Sequence, residues 1–163
     1  MTAFEGIVKW TLRNNKAEIL QSGEKTVSVP PLTAQNVLDI DLSAELKNRT
    51  DPREKYLEYS IIENGSVLSF GTTLFVRPKE FTFLEPAITY GISESDDKVA
   101  LTFCAENYAK SVCLSLKTAD CVFSDNWFDI HGKEPVTIMI DKASLSRKMT
   151  AQELSEELEI MHN

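Results

Sequence analysis

Short segments in which apolar and polar residues alternate recur along most of the sequence. A period of two places successive side chains on opposite faces of an extended chain, so it predicts β-strands rather than helices. The clearest pair is residues 56–62 and 67–76, and the Asn64-Gly65 dipeptide between them is a strong hairpin signal. The alternation therefore predicts an all-β protein.

The segments before this hairpin are shorter and are bounded by turn residues. Asn14-Asn15 predicts one turn, and Ser22-Gly23-Glu24 predicts another. The pair Pro30-Pro31 cannot lie in the middle of a sheet, so it also ends a strand. The predicted strands in this part of the chain are residues 7–12, 17–21, 26–29 and 37–42.

The tripeptide Arg77-Pro78-Lys79 interrupts the alternation and predicts a domain boundary. Short strands with polar turns follow it, which is typical of a second small sandwich. These predicted strands are residues 88–92, 98–106, 111–117, 121–124 and 135–140. The sequence thus predicts two tandem β-sandwiches, residues 1–78 and 79–142, and a tail at residues 143–163.

The tail has a helical rather than a strand period. Thr150 and Glu153 have the spacing of a capping box, and Leu154, Leu158 and Met161 then recur at helical intervals. A short amphipathic helix of about three turns is predicted. It would dock on its own sandwich or on a partner.

The charge balance argues against nucleic acid as a partner. The chain has 25 acidic and 17 basic residues and a formal net charge of −8, which repels phosphate backbones. It has no apolar run near the roughly 20 residues that span a bilayer, and its first residues lack the features of a signal peptide. A cytoplasmic protein without nucleic-acid or membrane partners is expected.

The three cysteines do not have the spacing of a metal or redox motif. Cys104, Cys113 and Cys121 lie nine and eight residues apart, whereas zinc sites and redox motifs use short CxxC pairs. Free thiols in a reducing compartment are the expected state, with a cross-strand disulfide as the alternative.

The residues that could carry chemistry form no recognisable catalytic set. His131 is predicted in a loop and His162 at the frayed end of the chain, and neither has a nucleophile nearby in sequence. Asp120, Asp125 and Asp129 are the best carboxylate cluster, but aspartates at strand ends commonly fix turns. No catalytic residue, cofactor site or metal site is therefore predicted.

Two tryptophans could offer flat faces to a sugar. Trp10 lies in an alternating strand, and Trp127 lies beside Phe123 and Phe128. A single Trp in a small sandwich is more often its core anchor, so core packing is predicted for both.

Two series of segments resemble domains of one enzyme family. The first comprises residues 6–12, 27–32, 37–42 and 74–80. It resembles the immunoglobulin-like domain that follows the catalytic barrel in β-mannosidase-type enzymes of glycoside hydrolase family 2. The second, residues 123–129 and 132–134 with a closing apolar strand, is similar to the final immunoglobulin-like domain of the same enzymes, and Phe-Ser-Asp-Asn-Trp-Phe-Asp at 123–129 is its most specific part.

The resemblance implies that both predicted sandwiches are immunoglobulin-like and non-catalytic. Nothing in the sequence corresponds to the jelly-roll domain or to the barrel that bears the catalytic glutamates. The chain would then supply C-terminal accessory domains of a β-mannosidase, with the catalytic barrel of the parent as partner. It also implies that the chain starts one or two strands inside the first sandwich, so that its opening edge is exposed and prone to self-association.

Two alternatives belong to other functional classes. The chain could be a stand-alone carbohydrate-binding module with exposed aromatic residues around Trp127. It could also be a protein-interaction module that binds through a strand edge or through the helix of Leu154, Leu158 and Met161.

Overall fold

The computed structural model describes residues 3–163, and the chain separates into two compact units. The first, Met1–Thr82, is called the N-unit here, and the second, Phe83–Asn163, the C-unit. The sequence predicts this boundary four residues earlier, after residue 78.

Four long antiparallel strands form the sheet of the N-unit. Their order across the sheet is β2-β1-β3-β4. The strands are β1 Phe4–Asn14, β2 Ile19–Val29, β3 Lys55–Glu63 and β4 Ser66–Leu74, and the short helix α1 is Asp51–Glu54. The Asn64-Gly65 hairpin is confirmed, because both residues have the positive φ (51° and 81°) that a two-residue hairpin turn requires.

One turn prediction and one strand prediction for the N-unit are wrong. β2 runs through residues 22–24 without a turn, because Gly23 pairs with Trp10 across the ladder. Residues 37–42 are irregular. Lys25 Nζ holds the start of this segment by donating to Val37 O at 2.8 Å, and Lys55 Nζ holds the residues just after it by donating to Glu45 O.

The opening strand is central rather than peripheral. β1 pairs with β2 on one side and with β3 on the other, so the expectation of an exposed edge at the start of the chain is wrong. The edges of the described sheet are β2 and β4.

The register gives this sheet two distinct faces. The face that carries Trp10, called the Trp10 face, includes the fully buried Leu12 and the buried Val27. The opposite face, called the Arg13 face, is buried at one end, where Tyr56 meets Phe81 edge-to-face at 6.4 Å.

The C-unit is a two-layer sandwich that encloses a core. One sheet has the order β5-β6-β9 and the other the order β10-β7-β8. The strands are β5 Thr89–Glu94, β6 Lys98–Cys104, β7 Tyr108–Leu116, β8 Phe128–His131, β9 Val136–Asp141 and β10 Leu158–Met161, with helix α2 at Ala151–Glu157. Residues 121–124, predicted as a strand, contribute a single bridge from Phe123 to Ile140.

Both sheets and the helix contribute side chains to the C-unit core. The buried cluster includes Leu101 and Phe103 of β6, Val112 of β7, Ile130 of β8 and Leu154 of α2. Burial from two facing sheets is the arrangement of an immunoglobulin-like sandwich.

The tail follows the helix prediction only as far as Glu157. The capping box is confirmed, since Thr150 and Glu153 bond reciprocally. The helical prediction for Leu158 and Met161 is wrong: residues 158–161 form β10, which pairs with β7. Leu158 and Ile160 also alternate, so the same apolar residues satisfy a strand once β7 offers a free edge.

Candidate functional site

Two of the three aspartates singled out by the sequence, Asp125 and Asp129, have hydrogen-bond partners for their carboxylates, whereas Asp120 bonds to Ser146 through its backbone groups. Asp129 accepts hydrogen bonds from Ser111 N at 2.8 Å and from Tyr108 Oη at 2.7 Å, and Lys110 Nζ lies 3.3 Å away. These bonds fasten β8 to the irregular part of β7. Asp125 Oδ1 accepts from Asn126 N at 2.8 Å, which shapes the segment before Trp127.

The structure does not bring the two histidines and these aspartates into a catalytic set. His131 lies in β8, so its placement in a loop is wrong, and its ring stacks on Tyr108 at 5.6 Å and 7°. His162 is exposed, with Nδ1 3.3 Å from Asn163 O. Within residues 3–163, no three His, Cys, Asp or Glu side chains are grouped as metal ligands would be.

A shallow groove of about 510 Å³ lies on the C-unit, and its lining includes Lys98, Ser124 and Asp141. Retaining glycosidases use two carboxyl groups about 5–5.5 Å apart. Asp141 is the single carboxylate among the described lining residues, and its Oδ1 already accepts from Ala143 N at 2.9 Å. The groove does not have the donor set of a glycosidase centre.

Trp127 is exposed, so its predicted core packing is wrong. Its side chain is 66% accessible, and its backbone has φ +68°, a conformation that bulky residues rarely adopt. Asn126 supports this conformation by bonding both backbone groups of Leu114: Leu114 N donates to Asn126 Oδ1 at 2.8 Å, and Asn126 Nδ2 donates to Leu114 O at 3.0 Å. The segment therefore presents an indole to solvent from a fixed base.

A second aromatic feature crosses the N-unit sheet. Gly23, Trp10, Tyr59 and Gly71 are cross-strand neighbours in one row over all four strands. A Cβ atom on Gly23 would lie 2.8 Å from the Trp10 ring, and one on Gly71 would lie 2.6 Å from Tyr59 Oη. Each ring thus leans over a glycine of the adjacent edge strand, and Tyr59 is 39% exposed. Sequence reasoning found Trp10 but missed Tyr59, because the row depends on register.

The three cysteines are free thiols, as expected. Cys113 is buried, and Cys104 and Cys121 are half-buried. Burial raises the pKa of the Cys121 thiol, and the nearby carboxylate of Asp120 raises it further. A raised thiol pKa lowers the thiolate fraction and therefore the reactivity of this cysteine.

None of the helices described between residues 3 and 163 is long and apolar enough to cross a membrane.

Family models match nearly the whole chain in two consecutive blocks. Residues 1–80 match a mannosidase Ig/CBM-like domain, and residues 83–163 match an Ig-fold domain. No curated protein sequence matches the chain.

Solved structures of larger enzymes contain the same fold. The chain is similar to β-D-mannosidase from Dictyoglomus thermophilum, with 15% identity, a TM-score of 0.72, and coverage of 99% of this chain and 19% of that one. It is also similar to the exo-chitosanase CsxA from Amycolatopsis orientalis, with 12% identity, a TM-score of 0.53, and coverage of 99% and 23%.

The chain thus spans about a fifth of the length of these enzymes. The resemblance stated from the sequence is confirmed, and the two family matches agree with it in order and in kind. The chain therefore belongs to the immunoglobulin-like domain families of mannosidase-type enzymes, with a mannosidase Ig/CBM-like domain followed by an Ig-fold domain.

Proposed function

We propose that this chain supplies non-catalytic accessory domains to a family 2 glycoside hydrolase that removes terminal β-linked mannose. The observation that carries the proposal is the pair of consecutive family matches, at residues 1–80 and 83–163. Two observations support a non-catalytic role: the Asp129 carboxylate is already hydrogen-bonded within the C-unit, and the C-unit groove has a single carboxylate among its described lining residues.

We further propose that Trp127 contacts the catalytic barrel of the parent enzyme. Exposed tryptophans are enriched among the residues that dominate protein interfaces. The bonds of Asn126 to β7 preset the backbone, so little conformational freedom is lost when the indole becomes buried.

The non-catalytic part of the proposal is tested with the purified chain and 4-nitrophenyl β-D-mannopyranoside. Release of nitrophenol is expected to equal that of a buffer blank. Hydrolysis that scales with the concentration of the chain would overturn the proposal.

The parent is tested by reading the coding sequence next to this chain and expressing the catalytic barrel found there. In a Trp10→Phe variant Trp127 is the remaining indole, since the chain has two. Its emission is expected to shift to the blue, in a saturable way, as the barrel is added. A matched Trp127→Phe variant, which reports Trp10, is expected to show no such shift. An adjacent region without a glycosidase barrel, or a barrel that does not bind, would contradict the proposed partnership.

The row of Gly23, Trp10, Tyr59 and Gly71 favours carbohydrate binding as a second candidate function. Aromatic rings that lie over glycines can offer their outer faces to the C–H faces of a sugar. Polar residues of the two edge strands border this row on the same face, and these residues are Gln21, Lys25, Ser69 and Thr73.

Titration with mannose, mannobiose and mannan separates the two functions. A carbohydrate site on this row would change Trp10 emission in the Trp127→Phe variant, and Tyr59→Ala would weaken the effect. Unchanged Trp10 emission in the Trp127→Phe variant, together with unchanged Trp127 emission in the Trp10→Phe variant, would reject the carbohydrate module and leave the accessory role.

We also propose a cytoplasmic location, which the free state of Cys104, Cys113 and Cys121 supports. Thiol titration of protein purified from its native cell without added reductant is expected to find three free thiols. A disulfide between any two of them would contradict this location.

A further inference from the structure

We propose that strand β4 is a self-association edge, at which two copies of this chain pair antiparallel. β4 is the last strand of the N-unit sheet, and among the described residues it pairs with β3 alone. The outward N–H and C=O groups of such a strand form a template for another strand. This surface lies outside the accessory role proposed above.

The side chains of β4 are unusual for an exposed edge. Val67, Leu68 and Phe70 are 57%, 56% and 67% exposed. Val67 pairs with Ile62, which pairs with Ile7, so the apolar surface continues inward over β3 and β1 on the Arg13 face. Phe81 covers the other end of this face, at Tyr56, and leaves Val67, Leu68 and Phe70 accessible.

Charge selects a second copy as the occupant. Residues 66–74 contain no charged residue, although 26% of the chain is charged and its net charge is −8. Two copies with this net charge repel each other at most surfaces. Because β4 carries no charge, this repulsion is smallest where β4 of one copy meets β4 of the other. The opposite edge, β2, is protected by Glu24 and Lys25 and is followed by Pro30-Pro31.

Symmetry is compatible with this pairing. Antiparallel pairing of one strand with itself is generated by a twofold axis, which closes the assembly as a dimer. The register of β4 with β3 is irregular near Ile61 and Ile62 and regular from Ser69 onwards. We therefore place the pairing on residues 69–74, with Phe70 of both copies on the same face of a continuous eight-stranded sheet.

Sedimentation velocity over a wide concentration range tests the proposal. The wild-type chain is expected to shift from monomer to dimer with rising concentration. Phe70→Lys is expected to weaken dimerisation about tenfold or more, because two apolar rings leave the interface and like charges enter it. Ile19→Lys is the matched control: Ile19 is 58% exposed on the other edge strand, and its replacement is expected to leave the dimer intact.

Each outcome decides the proposal. A wild-type chain that stays monomeric at the highest soluble concentration, or an equal loss of dimer in both variants, would overturn it. Far-UV circular dichroism checks that the variants fold. If Phe70→Lys does not fold, Thr73→Lys provides the same test from an exposed position within the pairing segment. A monomer that binds the catalytic barrel through β4 would also reject self-association and assign the edge to the parent enzyme.

Discussion

The two units bury their apolar residues in different ways, although both belong to immunoglobulin-like families. The C-unit encloses a cluster of twelve buried residues between two sheets. The N-unit has a single described sheet, and irregular residues 30–46 are tied to it through Lys25 and Lys55. Membership of an immunoglobulin-like family therefore does not determine whether a second sheet covers the first. The open surfaces of the N-unit are therefore candidates for binding.

The largest expected contrast between the units comes from removing a phenylalanine ring. Phe103 is fully buried in the C-unit, with Tyr90 and Phe128 at 5.6 Å. Phe103→Ala is expected to lower the free energy of unfolding by about 3–5 kcal/mol through lost burial and a cavity. Urea unfolding followed by Trp127 fluorescence in the Trp10→Phe background measures it. Phe70→Ala in dilute protein, followed by Trp10 in the Trp127→Phe background, is the control and is expected to change stability by less than about 0.5 kcal/mol. Equal losses of unfolding free energy in Phe103→Ala and Phe70→Ala would contradict the proposed difference in burial between the two units.

The second contrast lies within the N-unit and concerns two ion pairs. Arg13 is buried and donates from Nε to Glu58 at 2.9 Å and from Nη1 to Ala17 O at 3.1 Å. Glu58→Ala is expected to cost about 2 kcal/mol, because it removes a charged hydrogen-bond partner from a buried guanidinium. Glu24→Ala breaks the exposed pair with Lys9 and is expected to cost less than about 0.5 kcal/mol. If urea unfolding gave similar losses for both variants, burial would not determine how much each ion pair contributes to the free energy of unfolding.

A smaller effect is expected at the start of α2, which places Leu154 in the C-unit core. Thr150→Ala removes the capping box and is expected to cost about 1 kcal/mol of C-unit stability. Gln152→Ala, on the exposed side of the same helix, is expected to cost no more than about 0.5 kcal/mol. Should Thr150→Ala match Gln152→Ala in thermal unfolding, the cap would contribute nothing to the packing of Leu154.

The smallest effects are in the acid dependence of each unit. Hydrogen bonds from Thr118 hold the pKa of Glu157 below its ordinary value of 4.5, and the backbone N–H of Asn48 lowers the pKa of Asp51 from 3.8. A carboxyl whose folded pKa is lowered stabilises the fold above its ordinary pKa, and this stabilisation is lost as pH falls through the folded value. Glu157→Gln is therefore expected to flatten the loss of C-unit stability below pH 4.5.

Asp51→Asn is the matched variant and is expected to flatten the acid loss of the N-unit below pH 3.8. The two single-Trp backgrounds follow the units separately in urea titrations at a series of pH values. If either substitution altered the acid response of the other unit, the units would not be energetically independent.

The sequence was sufficient where the signal is local. The Asn64-Gly65 turn and the Thr150 capping box follow from the conformational and bonding preferences of adjacent residues. The family-specific segment 123–129 also indicated the fold, although its role in the structure differs from the predicted core packing of Trp127.

The failures have a common physical cause, which is pairing between distant residues. Gly23 looks like a turn residue, but it lies inside β2, where it makes room for the ring of Trp10 on another strand. Residues 158–161 fit a helical period and a strand period equally well. They form a strand because they pair with the free edge of β7. The row that includes Tyr59 could not be found without the register.

The position of β10 in the C-unit has a consequence for synthesis on the ribosome. The N-unit strands pair mainly with neighbours in sequence, so its sheet can assemble while the rest of the chain is still being translated. The C-unit sheet of β7 must instead wait for residues 158–161 to leave the exit tunnel. Until then the edge of β7 that pairs with β10 has no strand beside it. A nascent chain stalled before Leu158 is therefore expected to bind chaperones that recognise unpaired strands.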